Sequence, residues 1–103
     1  MMKQIKNNDF SEVRDSAYAV VDFSASWCGP CKMMAPAFHA VAEEKSDVAD
    51  FFGADVDDNQ DLAMSNKVFS VPTLIIYKAG VEVARSVGAI SKTDLINFVE
   101  SHK

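Results

Sequence analysis

The chain has 103 residues, of which 49% are hydrophobic and 24% are charged, and 15 acidic against 10 basic side chains give it a formal net charge of −5. This length and apolar content are typical of one globular domain and exclude a disordered chain, so we expect residues 1–103 to form a single domain. The acidic charge excludes nucleic acid as a partner, because that binding needs clustered Lys and Arg. No apolar run approaches the roughly 18 residues of a membrane span, so no membrane partner is expected.

Helical and strand-like patterns alternate along the first two thirds of the chain. The predicted elements are a possible strand at 3–5, a helix at about 8–17, a strand at 19–23, a helix from the cysteine motif to about residue 45, a strand at roughly 49–56 and a short helix ending near residue 66. Polar clusters at 7–9 and 57–59 precede two of these helices and are suited to capping them. This alternation indicates a parallel sheet with helices on both faces.

Two further strand-like segments, at 73–77 and 81–87, are separated by Lys78-Ala79-Gly80. A connection of three residues with glycine last is typical of a β-hairpin, so these strands should be antiparallel. Ser91 then begins a capping-box-like start to a last helix. The predicted class is therefore α/β with a mixed β-sheet.

The sequence Cys28-Gly29-Pro30-Cys31 lies where a predicted strand passes into a helix, the context in which a C-x-x-C pair is redox active. The first cysteine would sit at the helix N-terminus, where unpaired N–H groups and the helix dipole favour a thiolate, so Cys28 is the expected nucleophile. Cys31, one turn further on, is expected to be less exposed and to act as the resolving thiol. The alternative is a structural disulfide, which would stabilise the fold little across so short a loop.

Metal binding is a second alternative for the cysteine pair. A structural zinc site needs four ligands, and His39 and His102 would have to complete it without the short spacing of a zinc finger. The acidic run at 55–61 lacks the glycine and terminal glutamate of a calcium-binding loop, and helix capping explains it better. We therefore expect no metal site, and neither histidine is expected to act as a general base.

Asp22 stands in the middle of the apolar strand predicted at 19–23. A buried carboxylate is costly unless it has a partner or a use, and burial would raise the pKa of Asp22 toward neutrality. The residue is therefore a candidate proton acceptor. The alternative is an aspartate at a frayed strand end whose carboxylate is satisfied by water.

Val71-Pro72 comes directly before the strand predicted at 73–77. A proline biases the preceding residue toward extended backbone. Since only about 5–6% of X-Pro bonds in folded proteins are cis, the residues alone predict a trans turn that enters the strand.

The motif Trp27-Cys28-Gly29-Pro30-Cys31-Lys32 resembles the active-site signature of the thioredoxin family. The resemblance continues at 20–23, 55–57, 71–73 and 88–89, in the order and at the intervals of that family. It implies the thioredoxin fold, a central mixed β-sheet flanked by four α-helices. It also implies a protein dithiol–disulfide oxidoreductase that reduces target disulfides through reversible oxidation of Cys28 and Cys31.

The same resemblance implies roles for residues around the cysteines. Asp22 would accept the proton of the resolving cysteine through a water, although Gly53 stands where many bacterial members carry a lysine near that aspartate. Pro72 would be cis and face the disulfide, and the backbone of Val71 would pair with the substrate chain. The remaining members of the implied apolar docking surface are Trp27, Gly29, Pro30, Gly88 and Ala89.

The resemblance further implies that no cofactor is bound and that the redox-active group is the Cys28–Cys31 disulfide. Electrons would come ultimately from NADPH through a separate thioredoxin reductase, since the chain has no dinucleotide-binding glycine pattern. The expected partners are that reductase and disulfide-containing target proteins, the expected compartment is the cytoplasm, and the expected state is a monomer. Two alternatives stay open. The first is an oxidant or isomerase with the same chemistry, and the second is a binding module that uses the surface of this fold as an accessory subunit or scaffold.

Overall fold

Helices and strands alternate in the computed structural model, which describes residues 2–103, so that Met1 lies outside the described residues. The strands are β1 (Met2–Ile5), β2 (Ala19–Ser24), β3 (Asp50–Asp55), β4 (Thr73–Lys78) and β5 (Val81–Val87). The helices are α1 (Ser11–Asp15), α2 (Gly29–Glu44), α3 (Gln60–Ser65) and α4 (Lys92–Ser101). None of these helices is long and apolar enough to cross a membrane.

The five strands form one mixed sheet in the order β1-β3-β2-β4-β5. Strand β3 is parallel to both β1 and β2, whereas β4 is antiparallel to β2 and β5 is antiparallel to β4. The central strand β2 is buried along nearly its whole length, as its continuous apolar sequence predicts for a strand covered on both faces. The predicted α/β class with a mixed sheet is confirmed.

Each face of the sheet carries its own apolar core. The core under α2 and α4 is formed by Tyr18, Val20, Met34, Phe38, Val41, Ala42, Ala49, Phe51, Leu74, Ile76, Leu95 and Val99. The core under α1 and α3 is formed by Ile5, Val13, Ala19, Val21, Phe23, Phe52, Ala54, Leu62, Ile75 and Tyr77. Alternate residues of β2 therefore enter opposite cores, which fixes the register of the strand.

Two element boundaries differ from the sequence prediction for backbone reasons. The first helix is shorter than 8–17, because Asn7 and Asn8 adopt left-handed backbone with φ of 55° and 59° and a right-handed helix cannot include them. The hairpin loop has two residues rather than three, since Lys78 still pairs with Val81. Ala79 and Gly80 form this tight turn, both with positive φ.

The buried side chain of Asn59 connects three elements. Its Nδ2 donates to the carbonyl oxygens of Ile5 and Asp55, each at 3.0 Å, and its Oδ1 accepts from the amide of Asn8 at 2.9 Å. Asn8 in turn accepts from the Leu62 amide at the start of α3 at 2.9 Å. The cap of α3 thus comes from a distant asparagine rather than from the predicted cluster at 57–59, whose Asn59 makes no side-chain cap.

Replacing Asn59 with alanine should lower the free energy of unfolding by about 2 to 4 kcal/mol. Two carbonyl groups and one amide would lose their hydrogen-bond partner, and each buried polar group left unsatisfied costs roughly 1–3 kcal/mol. Urea denaturation of the oxidised protein measures this difference. The matched change at an exposed site, Asn97→Ala in α4, should alter stability by no more than about 0.5 kcal/mol. An Asn59→Ala protein as stable as wild type would contradict the role given to this side chain.

Candidate active site

The cysteine pair stands where β2 ends and α2 begins. Cys28 is the N-cap residue of α2, and its sulfur accepts a hydrogen bond from the backbone amide of Cys31 at 3.2 Å. The two residues are joined as a disulfide, with their Cα atoms 5.3 Å apart. The sulfur of Cys28 therefore lies at the positive end of a 16-residue helix, where a thiolate would be stabilised.

Both cysteines are only 5% exposed in this oxidised form, so the difference in exposure that the sequence predicted is absent from it. They differ instead in what they face. Cys28 borders an apolar groove of about 550 Å³, whereas Cys31 borders a separate cavity of about 210 Å³ that Gln4, Ser24 and Asp55 also line. A disulfide that enters the groove would therefore meet Cys28.

The groove is lined along one side by the segment that leads into β4. The Val71–Pro72 peptide bond is cis, as the resemblance implied and the residues alone did not. The carbonyl oxygen of Val71 lies 3.7 Å from the Cys28 sulfur, so the backbone before the proline faces the disulfide directly. Pro72 is buried behind it and accepts a hydrogen bond from the Gly88 amide at 2.8 Å.

The residues predicted to form the docking surface are only partly brought together. Trp27, Gly29, Pro30 and Val71 line the groove beside Cys28. The segment 88–89 does not line it, although Gly88, with φ of 98°, is hydrogen-bonded to Pro72. Sequence reasoning did not anticipate four residues that do line the groove, which are Val56, Val68, Phe69 and Ser70.

The indole of Trp27 is 67% exposed and is held by an acidic side chain. Its Nε1 donates to Oδ2 of Asp57 at 2.8 Å, and the Asp57 amide donates to Oδ1 of Asp55 at 2.8 Å. The sequence interpretation of this acidic run as helix capping missed that role. One signal could have found it, since β2 and β3 are parallel and the residues that follow them meet at the same edge of the sheet.

Asp22 is buried in the middle of β2, the strand that precedes the cysteine motif. It is 7% exposed, and its Oδ1 has no hydrogen-bond partner within residues 2–103. Burial raises the pKa of Asp22 to about 7. The carboxyl group can therefore exchange a proton near neutral pH, and the alternative of a water-satisfied aspartate at a frayed strand end does not fit this burial.

The sheet neighbour of Asp22 is Gly53, which in turn pairs with Gln4 of β1. The side chain of Gln4 lies over Gly53, because a Cβ placed on this glycine would come within 2.8 Å of the Gln4 Nε2. An uncharged amide thus occupies the space that the missing side chain leaves. No group of three or more His, Cys, Asp or Glu side chains within residues 2–103 is arranged to hold a metal ion.

Comparison with known proteins finds one family by sequence and by structure. The family model described as Thioredoxin matches residues 1–101. Thioredoxin-2 of Saccharomyces cerevisiae is 48% identical over 88 residues, which cover 85% of this chain and 84% of that protein. Thioredoxin of Staphylococcus epidermidis is 38% identical over 99 residues, which cover 96% of this chain and 95% of that protein. The solved structure of Malassezia sympodialis thioredoxin has a TM-score of 0.89 and 30% identity, covering 99% of this chain and 90% of that chain.

The burial of Asp22 predicts how stability depends on pH. The pKa of Asp22 is about 7 in the folded protein and 3.8 without burial, so between these values the folded state keeps a proton that the unfolded chain has lost. The free energy of unfolding should therefore fall as pH rises from about 4 to about 7, by roughly 4 kcal/mol at most. The neutral Asp22→Asn variant should lack this loss and exceed wild type in stability above pH 7.

Urea denaturation of the oxidised proteins at pH 5 and pH 8.5 tests this expectation, because the disulfide keeps both thiols from titrating. The exposed change Asp58→Asn is the control and should follow wild type at both values. If Asp22→Asn lost stability in parallel with wild type, the pH dependence would have another source.

Proposed function

Because the chain belongs to the thioredoxin family and is a protein dithiol–disulfide oxidoreductase, we propose that Cys28 is the attacking thiol and Cys31 the resolving thiol in the reduction of target disulfides. The observation that carries this assignment is the Cys28 sulfur at the N-terminus of α2, bordering the apolar groove. The redox-active group is the cysteine pair itself.

The first step uses the dithiol form of the protein. The Cys28 thiolate attacks one sulfur of the target disulfide, so that a Cys28–target disulfide forms and the other target sulfur leaves as a thiolate. The helix N-terminus and the Cys31 amide, which donates to the Cys28 sulfur, favour the thiolate that this attack requires. Cys28 is consequently both the more reactive and the better placed of the two sulfurs.

The second step releases the target. The Cys31 thiol gives up its proton, and the resulting thiolate attacks the Cys28 sulfur of the mixed disulfide. The second target sulfur then leaves as a thiolate, and the Cys28–Cys31 disulfide remains. Two electrons have passed from the cysteine pair to the target.

Asp22 is the proton acceptor for Cys31 in this scheme. A carboxylate whose pKa is about 7 is partly ionised at neutral pH and can take up a proton there. Its Oδ1 has no other partner within residues 2–103, so it is free to accept a hydrogen bond from a thiol or an intervening water.

The other site residues have supporting roles. Trp27, Gly29 and Pro30 form the part of the docking surface next to the disulfide, and Gly29 keeps this surface open because it adds no side chain. The Val71 backbone lies alongside the target chain, and cis Pro72 directs the Val71 carbonyl toward Cys28. Gly88 and Ala89 support this loop from outside the groove, through the hydrogen bond of Gly88 to Pro72.

Electrons reach the disulfide from a separate thioredoxin reductase that oxidises NADPH. The oxidised form must be returned to the dithiol after each turnover, so the protein acts where such a reductase operates, which we place in the cytoplasm. We propose that residues 1–103 act as a single domain and as a monomer. The cysteine pair, Asp22 and the groove all belong to one chain, so the proposed site needs no second copy.

Reduction of insulin with NADPH and thioredoxin reductase tests this function, and dithiothreitol as a second electron source separates the activity from the choice of reductase. Wild type should turn over, and the Cys28→Ser variant should be inactive. The Cys31→Ser variant should accumulate a mixed disulfide through Cys28, because the resolving sulfur is missing. Mass spectrometry after trapping identifies the linked cysteine, and a target linked to Cys31 in the Cys28→Ser variant would reverse the two roles.

The role of Asp22 is tested by the rate at which a target is released from the mixed disulfide. In the Asp22→Asn variant this rate should fall roughly tenfold or more at pH 7, since general base catalysis contributes at least that much. The deficit should shrink above about pH 9, where free thiols ionise without help. Release as fast as in wild type at pH 7 would leave Asp22 with a structural role only.

Gly53, the β3 partner of Asp22, offers a second variant. The three atoms nearest to a Cβ at Gly53 all belong to the flexible end of Gln4, so the side chain of Gly53→Lys should displace this amide. It should bring an ammonium group near Asp22 and lower the pKa of that carboxyl. The pH midpoint of target release should therefore move down. Gly53→Met, with similar bulk and no charge, should leave the midpoint near the wild-type value. Equal midpoints in the Lys and Met variants would contradict this reasoning.

A further inference from the structure

The most exposed of the large apolar side chains is not Trp27 but Phe69, which is 86% exposed. Both side chains line the groove that leads to the Cys28 sulfur. Phe69 belongs to the connection between α3 and β4, so no helix or strand requires an aromatic residue at this position. Two largely exposed aromatic side chains that line one groove beside the Cys28 sulfur form an apolar patch, and such patches mark contacts with other molecules.

The backbone on the N-terminal side of Phe69 is held by an arginine. Arg85 of β5 donates to the carbonyl oxygens of Asn66 and Lys67, at 2.7 and 3.0 Å. The guanidinium is itself fixed by two 2.8 Å hydrogen bonds to the Glu82 carboxylate. The chain before Phe69 is therefore attached to the sheet at two consecutive carbonyls.

The backbone around Phe69 has two further attachments. The amide of Val68 donates to the Ala63 carbonyl at 2.9 Å, and the Thr73 hydroxyl donates to the Ser70 carbonyl at 2.7 Å. Phe69 is thus the outward-pointing residue of a segment that is hydrogen-bonded on both sides. The exposed ring is therefore carried by a hydrogen-bonded backbone rather than by a loose loop.

The groove next to this ring is suited to an apolar occupant. Val56, Val68 and Val71 form its walls, and its volume of about 550 Å³ can hold a large side chain. Val71 is two residues from Phe69 and faces Cys28. Because Phe69, Val71 and Cys28 all border this groove, a target segment that brings its cysteine to Cys28 would place the side chain of a residue one or two positions away, at about 3.3 Å per residue, against the Phe69 ring.

We propose that Phe69 is a specificity-determining residue, which contacts a large apolar side chain located within two residues of the disulfide cysteine of the target. This rests on the proposed function, because it concerns the same groove and the same reaction. The substrate class is therefore an extended protein segment in which an aliphatic or aromatic residue flanks the cysteine. Segments with small polar flanking residues would react more slowly, because they leave the exposed ring in water.

The test uses two peptides that each contain one cysteine, linked by a disulfide to a chromogenic thiol. One peptide has leucine at the positions two residues before and after the cysteine, and the other has serine at both positions. Wild type should reduce the leucine peptide with a kcat/KM about fivefold or more above that of the serine peptide. In the Phe69→Ser variant this ratio should fall to nearly one. Met64→Ser is the matched control, because Met64 is 73% exposed but does not line the groove, and it should keep the wild-type ratio.

Reduction of hydroxyethyl disulfide, a small and polar aliphatic compound, reports the reactivity of Cys28 with little contact to the groove. Phe69→Ser should slow this reaction far less than it slows reduction of the leucine peptide, and Phe69→Leu should recover most of the selectivity for the leucine peptide. Arg85→Met should reduce the selectivity without changing the rate with the small disulfide, because it releases the backbone that holds Phe69.

A Phe69→Ser variant that keeps the wild-type ratio would overturn the proposal while leaving the reductase function intact. Equal losses with both peptides and with the small disulfide would also overturn it, because Phe69 would then support the fold rather than selectivity. Failure of wild type to reduce any of the three compounds is a different result, which would overturn the proposed function itself.

Discussion

The interaction on which the site depends is the hydrogen bond between the Cys31 amide and the Cys28 sulfur at the N-terminus of α2. It makes one sulfur the cap of a helix, so that the dipole of the helix acts on the atom to which the proposed mechanism assigns the negative charge. The position of α2 depends in turn on the core that the helix buries against the sheet, through Met34, Phe38 and Val41. Packing far from the disulfide therefore determines where the reactive sulfur lies.

The buried carboxyl group of Asp22 lowers the stability of the fold, unlike the apolar core under α2. The central strand that anchors the site is apolar on both sides, and a carboxyl group inside it destabilises the folded state whenever it is ionised. The same burial brings the pKa of Asp22 to about 7, the range in which the proposed proton transfer from Cys31 takes place. The proposed role of Asp22 and the stability of the fold therefore make opposite demands on this position, where the amide of Gln4 rather than a cation lies over Gly53.

The groove beside Cys28 is formed by several segments that connect different helices and strands. Trp27 comes from the connection after β2 and is oriented by Asp57 from the connection after β3. Phe69 and Val71 come from the segment before β4, which Arg85 of β5 fastens to the sheet. Four of the five strands thus place the backbone or the side chains of this surface, so a rigid sheet holds the connecting segments that form the groove.

The sequence by itself determined the parts of the protein that depend on neighbours along the chain. The spacing of Cys28 and Cys31 at a strand-to-helix junction, the strands of the sheet and the helix start at Ser91 follow from local periodicity, capping and dihedral preferences. The resemblance to the thioredoxin family added the cis peptide bond before Pro72, although most X-Pro bonds in folded proteins are trans. These features need no knowledge of distant contacts.

Only the tertiary structure decided the contacts between residues far apart in sequence. Asn59 binds Ile5 and Asn8 across more than fifty residues, so its local role as a helix cap was the wrong interpretation. Asp57 meets Trp27, and Gln4 covers Gly53, because parallel strands bring these positions to the same edge or row of the sheet. Arg85 holds the carbonyls of Asn66 and Lys67, shortly before the exposed Phe69, and a pattern along the chain does not reveal this contact.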